Sequence, residues 1–471
     1  MTIIHISAEC YPVAKVGGLA DVVGALPKYQ NSSGVTSQVI MPFYDNKFTQ
    51  ENSFSSVYNG ELLLGNTSFE FKVLVLNEKP LDFDVFFIDV PQLLFKDFVY
   101  SWDDTERFLA FQIAALDWLL TWDIKPSIIH CHDHHTGLIP FMLQESYKYE
   151  VFRKTPNILT IHNAQYQGWF SHEKVGLIPP FNFNHVGLLD WGGSINPLAT
   201  AIKCAWWVTT VSPSYMEELK LAANGLEDLL SNETKKCSGI LNGIDWEVWN
   251  PETDSYLIKN YTKATVNEGA EANKKYLCDT FNLDINKPLF AFIGRLVDEK
   301  GSDLFPEVFK IALQKNNANI LLLGSGVPFV ESQLKALKDD FIGNYNAFIG
   351  YDEKLSHIIY AGADFLLMPS RVEPCGLNQM YALRYGTIPI VRRIGGLKDT
   401  VVDIKEENGF GICHDEVSVE AINLAINRAI DLYDNNQKKY KDIRNTIMEI
   451  DHSWNISAQE YINLYNSLKT N

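Results

Sequence analysis

Three short stretches of the chain carry residue types and spacings suited to holding an anion. The first is Lys15-Val16-Gly17-Gly18-Leu19-Ala20-Asp21. Adjacent glycines let main-chain N–H groups approach a phosphate, a helix start adds partial positive charge, and Lys15 adds a full one. The same residues also make a tight turn with a solvated lysine, and the spacing is neither G-x-G-x-x-G nor a Walker A loop. The second stretch is Gly294-Arg295-Leu296-Val297-Asp298-Glu299-Lys300-Gly301. Arg295 offers paired hydrogen bonds to a phosphate and Lys300 a point charge. A surface charge cluster, offset by Asp298 and Glu299, is the competing reading. The third runs from Pro369 to Gln379 and contains Ser370-Arg371-Val372-Glu373-Pro374-Cys375-Gly376-Leu377-Asn378. A carboxylate followed by amides that open a helix suits sugar hydroxyls on one side and phosphate on the other. Its plainer use is a structural cap.

Histidines gather at two further strand ends, His132-Asp133-His134-His135 and His162-Asn163. Clustered imidazoles invite a metal. No zinc-motif spacing and no H-E-x-x-H accompanies them, so no metal and no cofactor is expected. Asp82-Phe83-Asp84 resembles the acidic pair of metal-dependent sugar transferases but reads better as the entrance to the apolar run Val85–Ile88. The pairs Trp118/Trp122 and Trp206/Trp207 suit core or interface packing better than sugar platforms. A nicotinamide-dependent oxidoreductase also needs parallel strands and a glycine turn. Gly324-Ser325-Gly326 follows a strand, but Phe329 stands where the third glycine belongs. A phosphorylase using pyridoxal phosphate needs a Schiff-base lysine, and no segment marks one.

The elements that must position these residues alternate along the chain. Ile3–Ile6, Val35–Met41, Ser127–Cys131, Asn157–Ile161 and Trp207–Val211 read as strands, with helices from about Leu19 and over Asp104–Leu120. Asp103 or Asp104 serves as the cap of the second helix. From Asn242 to about Lys287 the chain reads as polar and irregular. The rhythm restarts at Pro288–Ile293 and continues through Ile320–Leu323, Ala363–Met368 and Thr387–Val391. Continuous apolar strands separated by helices imply parallel sheets covered on both faces. Two such series predict an α/β protein of two doubly wound Rossmann-like domains, 1–241 and 242–454, with the ligand at strand carboxyl ends in the cleft between them. A last helical pattern in 455–471 is expected to cross back to the first domain.

Bulk properties narrow the class. The 471 residues exceed one ordinary core, and 46% hydrophobic with 21% charged residues is ordinary for a globular protein. A net charge of -18 argues against nucleic-acid or anionic-membrane partners. No apolar run approaches the roughly 20 residues needed to span a bilayer, and the N-terminus reads as a strand, not a signal peptide. Seven scattered cysteines without a CxxC pair fit a reducing cytoplasm.

Taken in order, these segments resemble the bacterial glycogen/starch synthase family of retaining glycosyltransferases with the two-domain GT-B fold. The likeness spans Ser7–Pro12, Lys15–Val22, Thr160–Asn163, Val211–Pro213, Leu241–Asp245, Trp249–Asp254, Gly294–Leu296 with Lys300-Gly301, Pro369–Gln379, and Val391–Arg393 with Gly395–Leu397. The resemblance implies transfer of glucose from a nucleotide sugar, ADP-glucose in preference to UDP-glucose, to the end of an α-1,4-glucan. It implies that Lys15 and the Gly17 and Gly18 amides, with Asp21 beside them, face the donor. Arg295 and Lys300 would neutralise the departing diphosphate, and Glu373 would lie against the glucose. The segment Cys375, Gly376, Leu377 and Asn378 would meet sugar and phosphate. Asp133, His162 and Asn163 would line the glucose pocket, while Asn242 and Tyr351 would hold the nucleotide. Departures are His134 where the family usually has Trp, Asn378 where Thr is frequent, Ala164-Gln165 for Leu-Ala, and a poor match over Leu93–Tyr100. A non-catalytic glucan- or nucleotide-sugar-binding protein of the same fold is the alternative; the intact Lys15, Arg295, Lys300 and Glu373 argue against it.

Overall fold

The computed structural model describes residues 1–315 and 317–469. They divide into two units, Met1–Leu241 joined by the helix Trp454–Lys469, and Asn242–Ser453.

Unit 1 is built on β1 (Thr2–Ile6), β2 (Thr36–Pro42), β3 (Phe54–Leu64), β4 (Thr67–Leu76), β5 (Val85–Asp89), β6 (Ile128–His132) and β7 (Asn157–Ile161). A small hairpin, β8 (Asp190–Trp191) and β9 (Ser194–Ile195), precedes β10 (Trp207–Thr210) and β11 (Cys237–Gly239). The main sheet has the order β11-β10-β7-β6-β1-β2-β5-β4-β3. From β1 the chain passes to β2, crosses to the far edge as β3, works back inward through β4 to β5 beside β2, and then crosses to the other side of β1 as β6. The strand order therefore reverses between β1 and β6. These strands are parallel and β6 and β7 are buried throughout, so no polar alternation marks them. The edge differs: β3 and β4 form an antiparallel hairpin, and β4 is antiparallel to β5.

The helix Gly18–Ser32 and the helix Trp454–Lys469 cover one face. Trp454, Ala458, Tyr461 and Tyr465 recur at helical spacing and pack on Ile3, Val22, Leu26, Ile128 and Ile158. Burying each large apolar side chain contributes about 1.5–3 kcal/mol, enough to hold this last helix to the unit. The helix Thr105–Leu120 begins as the sequence suggests, with Asp104 at the N-cap position; the Asp104 carboxylate makes no capping bond and pairs with Arg107, while the Asp103 carboxylate accepts from Thr105 N.

Unit 2 carries β12 (Leu289–Ile293), β13 (Asn319–Gly324), β14 (Tyr345–Ile349), β15 (Phe365–Met368), β16 (Ile388–Arg392) and β17 (Ile412–His414) in the order β14-β13-β12-β15-β16-β17, all parallel. Phe290, Phe292, Ile320 and Leu322 enter one core; their neighbours Leu289, Ala291, Leu321 and Leu323 enter another. Alternate residues point to opposite faces, and both faces are covered, which produces the unbroken apolar runs. The stretch before β12 is more ordered than its composition suggests, because a helix occupies Val266–Phe281. Its inner face is Val266, Gly269, Ala270, Asn273, Lys274 and Leu277, a helical spacing made with small and polar residues. Lys274 is paired at 2.8 Å with the buried Asp364.

No helix among the described residues is long and apolar enough to cross a membrane.

Candidate active site

In unit 2 the strand order reverses between β12 and β15, so the loops that follow them diverge and leave a crevice at the carboxyl edge of the sheet. Lys300 lies on the first of these loops and Glu373 on the second. The Lys300 ammonium donates to both oxygens of Glu373, at 2.7 and 2.6 Å, and Ser370 Oγ donates to Oε2 at 2.9 Å. Backbone packing fixes this arrangement. Arg371 N and Val372 N donate to the Glu299 carbonyl. Gly395 has φ +46°, and a Cβ there would lie 2.0 Å from the Glu373 carbonyl oxygen. Gly301, at φ +71°, approaches the Pro369 carbonyl almost as closely, with a Cβ at 2.7 Å. Only glycine fits at either position.

The other expected residues of unit 2 are placed less uniformly. Arg295 is 71% exposed and reaches Glu299 at 3.4 Å. Tyr351 is 81% exposed in the loop after β14, and its hydroxyl donates to Glu353 Oε2 at 3.4 Å. The Asn242 main chain hydrogen-bonds the Cys375 thiol, and burial pushes that thiol up to about 12, so it stays protonated at neutral pH. Asn242 Oδ1 is buried without a partner among the described residues. Gly376 takes φ +73°, and Leu377 leads into the helix Asn378–Arg384. The Asn378 amide donates to Ile293 O at 2.7 Å, tying this loop to the end of β12. Its side chain is thereby committed to the fold, leaving its main chain for any ligand.

In unit 1 the reversal lies between β1 and β6, and the loops after them carry Lys15 and Asp133. Lys15 pairs with Asp21 at 2.7 Å, both substantially exposed. The glycine amides are not equivalent. Gly17 N donates to Glu9 Oε2 at 2.9 Å, next to Val16 N, and Tyr100 OH donates to Glu9 Oε1. The Gly17 amide is therefore spent on the protein, contrary to the sequence expectation. The Gly18 amide is left at the start of its helix. A Cβ at Gly17 or Gly18 would meet nothing within 4 Å, and neither has a left-handed φ. Chain packing does not demand glycine here; the room it leaves suits a ligand's approach.

Asp133 adopts φ 56°, ψ -175°, a region costly for any residue but glycine and typical of sites that hold a group in place. Its carboxylate accepts from His162 N at 2.7 Å and Asn163 N at 3.4 Å. Burial, with Glu9 nearby as a like charge, raises it to about 7. The Asn163 side chain turns back onto Gln165 N. His5, His130 and His132 form a tight buried group, but each ring nitrogen of the three is taken by a hydrogen bond. That pattern favours a polar network over a metal site.

Sequence reasoning missed Glu9, Tyr100 and Ser370 as organisers. Glu9 lies in the matching segment Ser7–Pro12, but what marks it is burial among main-chain amides and the Tyr100 hydroxyl, and burial is not readable from residue type. A broad surface groove of about 570 Å³ on unit 1 also escaped it. Trp102, Tyr166 and Trp169 line it beside His134, and all three aromatic rings are exposed.

Two doubly wound units, each with polar residues gathered where its strand order reverses, define a GT-B glycosyltransferase. Comparison agrees. A family model for the starch synthase catalytic domain matches residues 2–232, and one for glycosyl transferases group 1 matches 279–447. The glycogen synthase of Flavobacterium johnsoniae is 54% identical over 469 residues, covering 99% of each chain. That of Thermodesulfovibrio yellowstonii is 38% identical over 495 residues, covering 99% of this chain and 98% of the relative. The catalytic domain of starch synthase IV from Arabidopsis thaliana, bound to ADP and acarbose, superposes with a TM-score of 0.88 at 33% identity, covering 100% of this chain and 99% of that one. Sucrose-phosphate synthase from Thermosynechococcus elongatus, at 17% identity and TM-score 0.61 over 99% and 98% of the two chains, shares the fold. The chain belongs to the glycogen/starch synthase family of glycosyltransferases.

Proposed function

We propose that this protein transfers glucose from ADP-glucose to the non-reducing end of an α-1,4-glucan with retention of configuration. The observation that carries the reading is the Lys300–Glu373 pair at the unit 2 switch point, 2.6 Å apart and braced by Ser370. Breaking the bond from the anomeric carbon to the diphosphate builds positive charge on the sugar and negative charge on the leaving group. A preplaced ammonium stabilises the second and a carboxylate the first, more in the transition state than before it. Both Glu373 oxygens are engaged by Lys300, which weakens the carboxylate as a nucleophile. The acceptor hydroxyl therefore attacks from the leaving-group side, and its proton passes to the departing phosphate oxygen. Trapping a glucosyl ester on Glu373 would overturn this order of events.

Arg295 and Tyr351, both exposed, are assigned to the diphosphate and the base, Asn242 to the nucleotide, and Lys15, Asp21 and Gly18 to the donor. Asp133, His162 and Asn163 are assigned to the glucose. The groove lined by Trp102, Tyr166 and Trp169 is assigned to the glucan, because flat aromatic faces suit stacking against sugar rings. The ADP held by the plant starch synthase supports ADP-glucose as donor. Seven free cysteines fit a reducing cytoplasm. The test is nucleotide release from ADP-glucose and from UDP-glucose, with and without glycogen, in EDTA. Glycogen-dependent release of ADP is expected; no glucan-stimulated release from either donor would sink the reading.

A further inference from the structure

Four imidazoles cross the carboxyl half of the unit 1 sheet: His5 on β1, His130 and His132 on β6, and His162 just beyond β7. Gln30, on the helix Gly18–Ser32, accepts from His5 Nε2 at 2.9 Å through Oε1. His5 Nδ1 meets His132 Nε2 at 3.0 Å, and His132 Nδ1 meets His162 Nε2 at 3.0 Å. Each nitrogen–nitrogen contact needs one proton and one lone pair, so fixing one end of the row fixes all of it. The rings are neutral. Burial lowers His5 to about 4 and His162 to about 3, and holds His132 well below the usual imidazole range.

The Gln30 amide sets the direction. Its Oε1 also accepts from Ser37 Oγ at 2.7 Å, and its Nε2 donates to Tyr465 OH at 3.1 Å. Tyr465 has one hydroxyl proton and donates it in a hydrogen bond to His130 Nδ1 at 2.8 Å, leaving its oxygen to accept from Gln30. An amide oxygen only accepts, so His5 carries its proton on Nε2 and offers Nδ1 as a lone pair. The alternation repeats through His132. His162 then holds its proton on Nε2 and presents Nδ1 as an acceptor; among the described residues Nδ1 has no hydrogen-bond partner.

We propose that Gln30, anchored by Tyr465 on the last helix, is a positioning residue that acts through His5 and His132 to lock the tautomer of His162, so that His162 accepts from a sugar hydroxyl. This rests on the assignment of His162 to the glucose. It also goes further: an acceptor here selects a group that donates, and repels a phosphate or carbonyl oxygen.

The test separates the two claims. Ring ¹⁵N spectra of the ligand-free protein with labelled histidine, assigned by a His162→Asn variant, read the tautomer directly. His162 is expected with Nε2 pyrrole-like and Nδ1 pyridine-like. In Gln30→Leu, and in the gentler Tyr465→Phe, which frees the amide to turn over, the single form gives way to a mixture. A His162 protonated at Nδ1 in the wild type, or an unchanged single tautomer in both variants, overturns the relay whatever the activity. Next, KM is compared for donor analogues carrying fluorine, which does not donate, in place of one glucose hydroxyl at a time. One position is expected to lose roughly tenfold in the wild type, the size of one hydrogen bond, and to lose markedly less in Gln30→Leu. Confirmed tautomers with no such position would remove His162 from the glucose and leave the relay standing.

Discussion

At the switch point of unit 2 an ammonium and a carboxylate meet at 2.6 Å. At that of unit 1 two buried carboxylates, Glu9 and Asp133, are held by main-chain N–H groups and a tyrosine hydroxyl, while Lys15, on the loop after β1, faces solvent with Asp21. The glycines differ in the same sense. Gly301 and Gly395 are clamped against carbonyl oxygens, whereas Gly17 and Gly18 border open space. The contrast teaches a division of labour. Unit 2 presents preorganised charge, as the proposed stabilisation of a leaving diphosphate requires, and unit 1 presents directional hydrogen bonds and room, as the proposed glucose pocket requires.

The strongest way to break that division is to remove the charge. Lys300→Ala is expected to lower kcat by roughly 10²–10³, the usual cost of one transition-state donor. Circular dichroism and the melting curve establish that the variant is folded. A near-normal kcat would move the chemistry away from unit 2. Gly395→Ala comes next. Its Cβ collides with the Glu373 carbonyl oxygen, so the loop must shift, destabilising the protein by about 1–3 kcal/mol in a urea titration and lowering kcat as well. Gly18→Ala is the matched control. It should leave stability within about 0.5 kcal/mol yet raise KM for the donor several-fold, because the Cβ fills space left for a ligand. Equal stability losses in the two glycine variants would erase the distinction. Lys15, exposed and paired with Asp21, gives a smaller effect: Lys15→Ala is expected to change KM more than kcat, by about tenfold or less.

Much of this contrast was legible in the sequence, but only up to adjacency in space. The strand Asn157–Ile161 and the helix near Asp104–Leu120 are readable because their patterns are unmixed. The antiparallel hairpin of β3 and β4 is not: β3 is mostly exposed, and its only stretch of consecutive apolar residues longer than two is the short Leu62–Leu64 at its end. The helix Val266–Phe281 hides its inner face behind small and polar residues, with a buried Lys274 whose partner, Asp364, lies far along the chain. The motifs named Lys300 and Glu373 separately. That they form one ion pair follows from the order of β12 and β15 in the sheet, which residue spacing does not encode. Glu9 and the histidine row stayed invisible for the same reason: their roles depend on burial and on neighbours from three strands and two helices.

The smallest expected effect tests whether unit 1 really encloses its carboxylate. Asp133 is raised to about 7, chiefly by burial, from the ordinary value of 3.8. The folded protein therefore binds this proton more tightly than the unfolded chain does. The resulting stabilisation is complete below about pH 4 and is lost as pH rises through about 7. The buried imidazoles His5, His132 and His162 are lowered, so their contribution runs the other way: it is present above pH 6.5 and is lost as pH falls. A window above that value isolates the carboxylate. Asp133→Asn keeps the oxygen that accepts from His162 N, and Asn tolerates a positive φ better than most residues. Between pH 6.5 and 7.5 the wild type should lose under about 1 kcal/mol more than the variant, read as the difference between paired urea titrations. If the two curves stay parallel there, Asp133 titrates like a solvated carboxylate, and the enclosure that sets unit 1 apart from unit 2 is absent.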